Sequence, residues 1–202
     1  MITLSNNTEL GNRISEIMDR CGSDKQKDHN YSEGYSYLID KVLGISPNAM
    51  LEIGIANQVP EESSLHGWAE VFPHADIYGI DIAPRKMIET DRIKTFIADQ
   101  SEPFDLSKFK SAIGRRKLDI ILDDGSHVFR HALVSFEVLF SMLSPHGLYM
   151  IEDVSKANES WEQTVSEWEK YLSLRNDINY EIIDCKPENT QDDSVLIGIW
   201  RK

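Results

Sequence analysis

Five short apolar runs, each closing on an acidic residue, constrain this chain more than any other feature. They are Ala49-Met50-Leu51-Glu52-Ile53, Ile77 to Ile80 before Asp81, Ile93 to Ile97 before Asp99-Gln100, Leu118 to Leu122 before Asp123-Asp124, and Leu148 to Ile151 before Glu152-Asp153. Short runs rich in Ile and Leu read as buried strands. Helical spacings lie among them. Ser63 or Ser64 can cap a helix carrying Leu65, Trp68, Ala69 and Phe72 on one face, and Leu133, Phe136, Phe140 and Leu143 mark another. Strands alternating with helices predict an α/β fold with a parallel sheet. Parallel strands end at one common edge, and open α/β sheets bind ligands there. The acids of all five strands are therefore expected on one rim.

The flanks extend this plan. Leu10, Ile14, Ile17 and Cys21 share one helical face, and Tyr35, Leu38, Ile39 and Val42 share another. Residues 1–46 thus read as a cap of helices and loop on a single domain spanning 1–202. Beyond the fifth strand, Trp161, Val165, Trp168 and Leu172 mark a helix whose aromatics belong to the core. Two last strands, Tyr180 to Ile183 and Val195 to Trp200, are joined by Lys186 to Asp193, rich in turn formers. They are expected to pair as an antiparallel hairpin.

Composition narrows the function. A chain of 202 residues suits one domain with a full core. Its net charge of −13 repels phosphate backbones and anionic lipid surfaces, which argues against nucleic acid and membrane as partners. No apolar run approaches the roughly 20 residues needed to span a bilayer. Cys21 and Cys185 form no CxxC, so zinc is unsupported, and no signal-peptide pattern opens the chain. A cytoplasmic protein with reduced thiols is expected.

The acidic rim carries the chemistry. Gly54, after Glu52-Ile53, lets backbone approach a ligand closely, but Ile55-Ala56-Asn57 follow it and the dinucleotide pattern GxGxxG is absent. Asp81 can accept from a ribose diol, and Asp99-Gln100 can meet an adenine edge. Asp124, Glu152 and Asp153 can offer three oxygens to Mg²⁺ or a similar hard cation, while Asp123 could instead face the cofactor. His127, three residues past Asp124, can take a proton near neutral pH. In the polar loop Gly22-Ser23-Asp24-Lys25, Lys25 can meet a carboxylate, and Tyr31 can close over a ligand.

Read in order, GSDK, H-x-Y, LEIG, S-L-x-x-W, GIDI, ADQ, DDGSH and IED resemble the metal-dependent sugar O-methyltransferases of macrolide biosynthesis, the mycinamicin and tylosin type. The resemblance runs from about Gly22 to Asp153, with DDGSH followed by IED its most specific part. It implies a Rossmann-like, seven-stranded, mostly parallel sheet with helices on both faces and an antiparallel C-terminal hairpin. It implies S-adenosylmethionine (SAM) contacts from Glu52, Gly54, Ser64, Asp81, Asp99 and Gln100, with Asp123 a further candidate. It implies Mg²⁺ ligands at Asp124, Glu152 and Asp153 and a general base at His127, with Lys25 and Tyr31 over the methionine end of SAM or the substrate. The implied acceptor is a sugar hydroxyl of a glycoside, natural product or polysaccharide precursor. Residues 55–62 depart from the family's more glycine-rich loop, and the N-terminal and substrate-lid segments are short. Two other readings stay open. One is a SAM-dependent methyltransferase of another small-molecule diol, and the other is a non-catalytic nucleotide-binding α/β module. A distant further likeness is to proteins named cephalosporin hydroxylases. The oligomeric state is also open, a homodimer among the options.

Overall fold

Strand alternation decides the layers. In the strand Ala49–Ile53, Met50 points into a core with Ile14, Leu38 and Trp68, while Leu51 and Ile53 point into a core with Phe136, Tyr149 and Trp168. Both faces of the sheet are therefore buried, as the continuous apolar runs require. The computed structural model describes residues 1–4, 8–27, 29–55, 63–84, 88–154, 160–185 and 194–202.

In chain order the elements are β1 (Ile2–Thr3), α1 (Glu9–Arg20), α2 (Asp24–Lys27), α3 (Tyr31–Val42), β2 (Ala49–Ile53), α4 (Ser64–Val71), β3 (Asp76–Asp81), β4 (Ile93–Ile97), α5 (Pro103–Ile113), β5 (Leu118–Asp123), α6 (Phe129–Leu139), β6 (Leu143–Ile151), α7 (Trp161–Ser173), β7 (Ile178–Asp184) and β8 (Val195–Arg201). A one-turn 3-10 helix, Phe140–Met142, joins α6 to β6. The sheet order is β1-β7-β8-β6-β5-β2-β3-β4. Only β8 runs against the rest, paired antiparallel with both β6 and β7. The seven expected strands and the C-terminal hairpin are present. The turn expected at Lys186 to Asp193 and most of the loop after Gly54 lie outside the described residues.

Besides the one-turn 3-10 helix, three elements differ from the sequence expectation: α2 begins within the expected polar loop at Gly22 to Lys25, and β1 and α5 carry no clear sequence pattern. The two-residue β1 extends the sheet to eight strands by pairing parallel with β7. Helix α5 opens with Pro103 in its first turn and buries only Leu106 and Phe109. Such a narrow apolar face leaves little periodicity to detect. Among the described residues, no helix is long and apolar enough to cross a membrane.

Core chemistry explains the placement of the helices. Helices α1, α3 and α4 supply Ile14, Met18, Tyr35, Leu38 and Trp68 to one face. Helices α5, α6 and α7 supply Phe109, Phe136 and Trp168 to the other. Trp168 meets Phe129 and Phe136 edge-on, as core aromatics do.

Candidate active site

The register lines up the strand ends. Ile53 pairs with Asp123, and Asp123 with Ile151, so Gly54, Asp124 and Glu152 emerge at one level. Main-chain bonds carry the ladder one step further: Asp124 N–H to Ile53 O (2.9 Å), Glu152 N–H to Asp123 O (3.0 Å) and Gly54 N–H to Ile80 O (2.9 Å). From β2 the chain winds outward through β3 and β4; from β5 it winds the opposite way through β6. The β2/β5 junction is thus the topological switch point, where a crevice opens between diverging connections. A cleft of about 460 Å³ lies there, lined among others by Gly54, Asp81, Asp99, Gln100, Asp124, His127 and Asp153. That volume is within the range of small-molecule and cofactor sites.

Gly54 is required by close backbone approach. Its φ is +82°, and a Cβ there would stand 2.2 Å from the Asp124 carbonyl oxygen. The two strand-end loops touch main chain to main chain at this point, which no residue with a side chain permits.

Period-two alternation splits the acid pairs. Ile151 faces the α6/α7 core, so Glu152 turns to the opposite layer and Asp153 returns to the cleft. Glu152 is buried and accepts from Lys25 Nζ at 3.0 and 3.2 Å and from the Tyr35 hydroxyl. Lys25, itself 2% exposed, also donates to Asp124 Oδ2 at 2.5 Å and lies 3.2 Å from Glu52 Oε1. One ammonium from the N-terminal segment therefore ties together acids from three adjacent strand ends. Ser64 donates to Glu52 Oε2 at 2.8 Å. Burial alone would lower the Lys25 pKa, but Asp124, Glu152 and Glu52 outweigh it and hold the amine well above its usual value. Burial raises Glu52 to about 7, against the pull of Lys25. Burial, with Asp124 adding to it, also raises Glu152 and Asp153. Three acids against one lysine leave a local excess of negative charge.

The open side of the cluster carries the groups suited to a cation. Asp124, His127 and Asp153 each present a ligand atom within 4.8 Å of the others. His127 and Asp153 adopt left-handed backbone conformations, at φ +58° and +45°. Non-glycine residues held there mark sites where the surroundings over-determine the geometry. His127 Nδ1 is buried with no hydrogen-bond partner among the described residues. Asp153 is held by Tyr31, whose hydroxyl donates to Oδ1 at 2.5 Å and accepts the Asp153 N–H at 3.1 Å. His29 stacks on Tyr31 and places Nδ1 3.4 Å from the same Oδ1.

The expected site residues divide accordingly. Gly54, Asp81, Asp99, Gln100, Asp124, His127 and Asp153 line the cleft. Lys25, Tyr31, Glu52, Ser64 and Glu152 lie beneath it as a buried polar layer. Lys25 and Tyr31 grip acids here, whereas the resemblance places them over a ligand. Glu152 has both oxygens engaged by Lys25. Asp123 corrects its expectation more sharply, because it does not face the cleft. Alternation turns it into the α6 layer, where it accepts from Gln100, Ser135 and Tyr149. Asp81 accepts main-chain N–H groups of Ala83, in its own loop, and of Ile55, in the loop after β2, and Asp99 accepts from Ser101, so both brace strand-end loops. Tyr35 and Tyr149 stand out in the sequence only as parts of an apolar helix face and a strand. The available signal was that a buried tyrosine seeks a partner for its hydroxyl.

No protein-family profile matches the chain. Over 142 residues it is 35% identical to the 8-demethyl-8-alpha-L-rhamnosyl tetracenomycin-C 2'-O-methyltransferase of Streptomyces olivaceus, covering 67% of this chain and 36% of that one. Over 108 residues it is 42% identical to the demethylmacrocin O-methyltransferase of Streptomyces fradiae, covering 52% of this chain and 27% of that one. The mycinamicin VI 2''-O-methyltransferase of Micromonospora griseorubida is 39% identical over 110 residues. The resemblance to macrolide-type sugar O-methyltransferases is borne out. The chain spans only about a third or less of the length of these relatives. In structure it resembles the MycE methyltransferase of the mycinamycin pathway in complex with Mg, SAH and mycinamycin VI. The TM-score is 0.72 at 23% identity, over 94% of this chain and 54% of that one. The fold is the Rossmann-like methyltransferase fold.

Proposed function

We propose that this chain is a SAM-dependent, Mg²⁺-dependent O-methyltransferase domain acting on a sugar hydroxyl. The observation that carries the reading is the convergence of Asp124, His127 and Asp153 beside Gly54 at the mouth of the switch-point cleft. The relatives that methylate rhamnosyl and macrolide sugars support the acceptor class.

The residues fit the implied groups. Two cleft-facing carboxylates suit a hard cation that prefers oxygen, and the cleft beside them, bordered by Gly54, Asp81 and Asp99, is of the size that cofactor sites have. Asp124 and Asp153 would hold the metal, with Glu152 behind them tied to Lys25 and Tyr35. When bound, the cation would lower the pKa of an acceptor hydroxyl, and SAM would supply an electrophilic methyl group. His127 accepts the hydroxyl proton on a ring nitrogen, at the edge where Asp124 and Asp153 already gather. Asp81 and Asp99 brace the β3 and β4 loops around the cofactor end of the cleft. The Tyr31 and Lys25 contacts fix the acids, so that positioning rather than rearrangement supplies much of the rate.

The test is calorimetric titration of S-adenosylhomocysteine (SAH) with Mg²⁺ or chelator present, followed by methyl transfer to rhamnosyl acceptors. His127→Ala is expected to keep SAH affinity and lose turnover by about 10²–10⁴-fold. Full activity in chelator, or unchanged turnover in the variant, would refute the assignment. Absence of SAH binding would favour a non-catalytic module.

A further inference from the structure

We infer that Gln100 is a positioning residue, which sets the loop bearing Asp124 and His127 through the buried Asp123 and not by touching the cofactor. The inference rests on the proposed metal and SAM site. Both ends of the Gln100 amide are engaged with the protein. Nε2 donates to Asp123 Oδ1 at 3.0 Å and approaches Ser135 Oγ at 3.5 Å, while Oε1 accepts the Ser126 N–H at 2.5 Å. Gln100 is buried, although it borders the cleft.

The loop is built around this amide. A Cβ on Gly125 would stand 1.9 Å from Gln100 Oε1, so the glycine exists to let the glutamine in. On the other flank, Asp124 O crowds Gly54. The two-residue step from Asp124 to Ser126 is thus gripped from both sides. His127 follows at once in its left-handed conformation. Ser126 Oγ bonds His131 Nδ1 at 2.9 Å, which ties the loop onward to α6.

Asp123 orients the amide. Its Oδ2 accepts from Ser135 Oγ and, at 3.0 Å, from Tyr149 OH, which leaves Oδ1 for Gln100 Nε2. A carboxylate with one oxygen fully committed admits only a donor at the other. That forces the glutamine oxygen toward Ser126. Asp123, buried and away from the cleft, therefore dictates which way Gln100 points, and Gln100 dictates where the metal-side loop sits. Partners of this kind orient ligating groups without ligating.

A polarity swap tests the inference. Gln100→Glu sets a second carboxylate against Asp123, and Asp123→Asn removes the reason for the amide's orientation. In the double variant the roles reverse. Asn at 123 still accepts from Ser135 and Tyr149 and now donates to Glu at 100, whose other oxygen accepts the Ser126 N–H. With Mn²⁺ as the probe, each single variant should bind metal roughly 10–100-fold more weakly, and the double variant should recover most of the loss. SAH affinity without metal should stay near the parent value throughout. Single variants that bind Mn²⁺ like the parent, or a double variant no better than the worse single, would overturn the inference. So would a loss of SAH affinity in Gln100→Glu that the second change does not repair, because Gln100 would then contact the cofactor. Amide hydrogen exchange at Ser126 reads the same clamp with no ligand present. Faster exchange in the singles and recovery in the double support it even if the parent binds neither Mn²⁺ nor SAH, a result that would sink the proposed function instead. Gln100→Met, which keeps the length and removes both bonds, serves in either assay if a charged variant does not fold.

Discussion

Lys25→Met removes the ammonium that stands among Glu52, Asp124 and Glu152 while keeping a side chain of similar length. The site is buried, with Lys25 and Glu152 each 2% exposed, so solvent cannot replace the lost charge. The variant must instead neutralise about one more carboxylate with a proton in its folded state. Its acids are already poised for this, since Glu52 is raised to about 7 and Glu152 is raised as well. One extra proton bound by the folded state alone makes stability fall by about 1.4 kcal/mol per pH unit as pH rises. In the parent Glu52 already holds its proton below about pH 7, so the deficit should grow mainly above that pH, by up to about 1.4 kcal/mol per unit. The sign is fixed. A carboxylate whose folded pKa is raised costs nothing below its unfolded value and destabilises progressively as pH climbs toward the folded one. Urea melts of metal-free parent and variant at pH 5, 6, 7 and 8 measure the difference directly. Saturating Mg²⁺ should return part of the deficit, because a ligand of the folded state stabilises it by mass action. A deficit that is flat across this range, or below about 1 kcal/mol at pH 8, would show that Lys25 is not the neutralising charge of the cluster.

Gly54→Ala places a Cβ against the Asp124 carbonyl and forces a non-glycine residue to φ +82°. It should cost more than about 2 kcal/mol in thermal or urea unfolding and abolish SAH binding in calorimetry. Tyr31→Phe removes the hydroxyl that both donates to Asp153 Oδ1 and accepts its N–H. A loss of about 1–3 kcal/mol in urea unfolding is expected, with weaker Mn²⁺ binding and SAH affinity retained. Equal Mn²⁺ affinity in that variant would mean that Asp153 holds its place without Tyr31.

Much of this molecule is legible one strand at a time. The apolar runs at 49–53, 77–80, 93–97 and 118–122 became β2 to β5 with shifts of a residue or so at their ends. Buried strands on two covered faces leave little freedom for anything but apolar residues. The acids after each run followed the same logic, since the chain first meets solvent at the strand end. Helix α5 escaped because only Leu106 and Phe109 are buried. Strand β1 escaped because two residues carry no periodicity at all.

Sequence alone determined that carboxylates would close the strands on one common edge, with a histidine three residues past one of them and a glycine after the first strand. Those facts follow from the alternation of strands and helices and from local chemistry. Only the tertiary structure decided which acid faces which way. Asp123 and Asp124 are neighbours in the chain, yet alternation buries the first against Ser135 and Tyr149 and turns the second to the cleft. Glu152 and Asp153 part in the same manner, one to Lys25 and Tyr35, the other to Tyr31 and the cleft. The partner of these acids, Lys25, lies 99 residues from Asp124 and 127 from Glu152. No local pattern can encode a contact at that range. It exists because α1, α2 and α3 pack on the sheet and bring a lysine, buried with its hydrocarbon stem, to the place where excess negative charge most needs it.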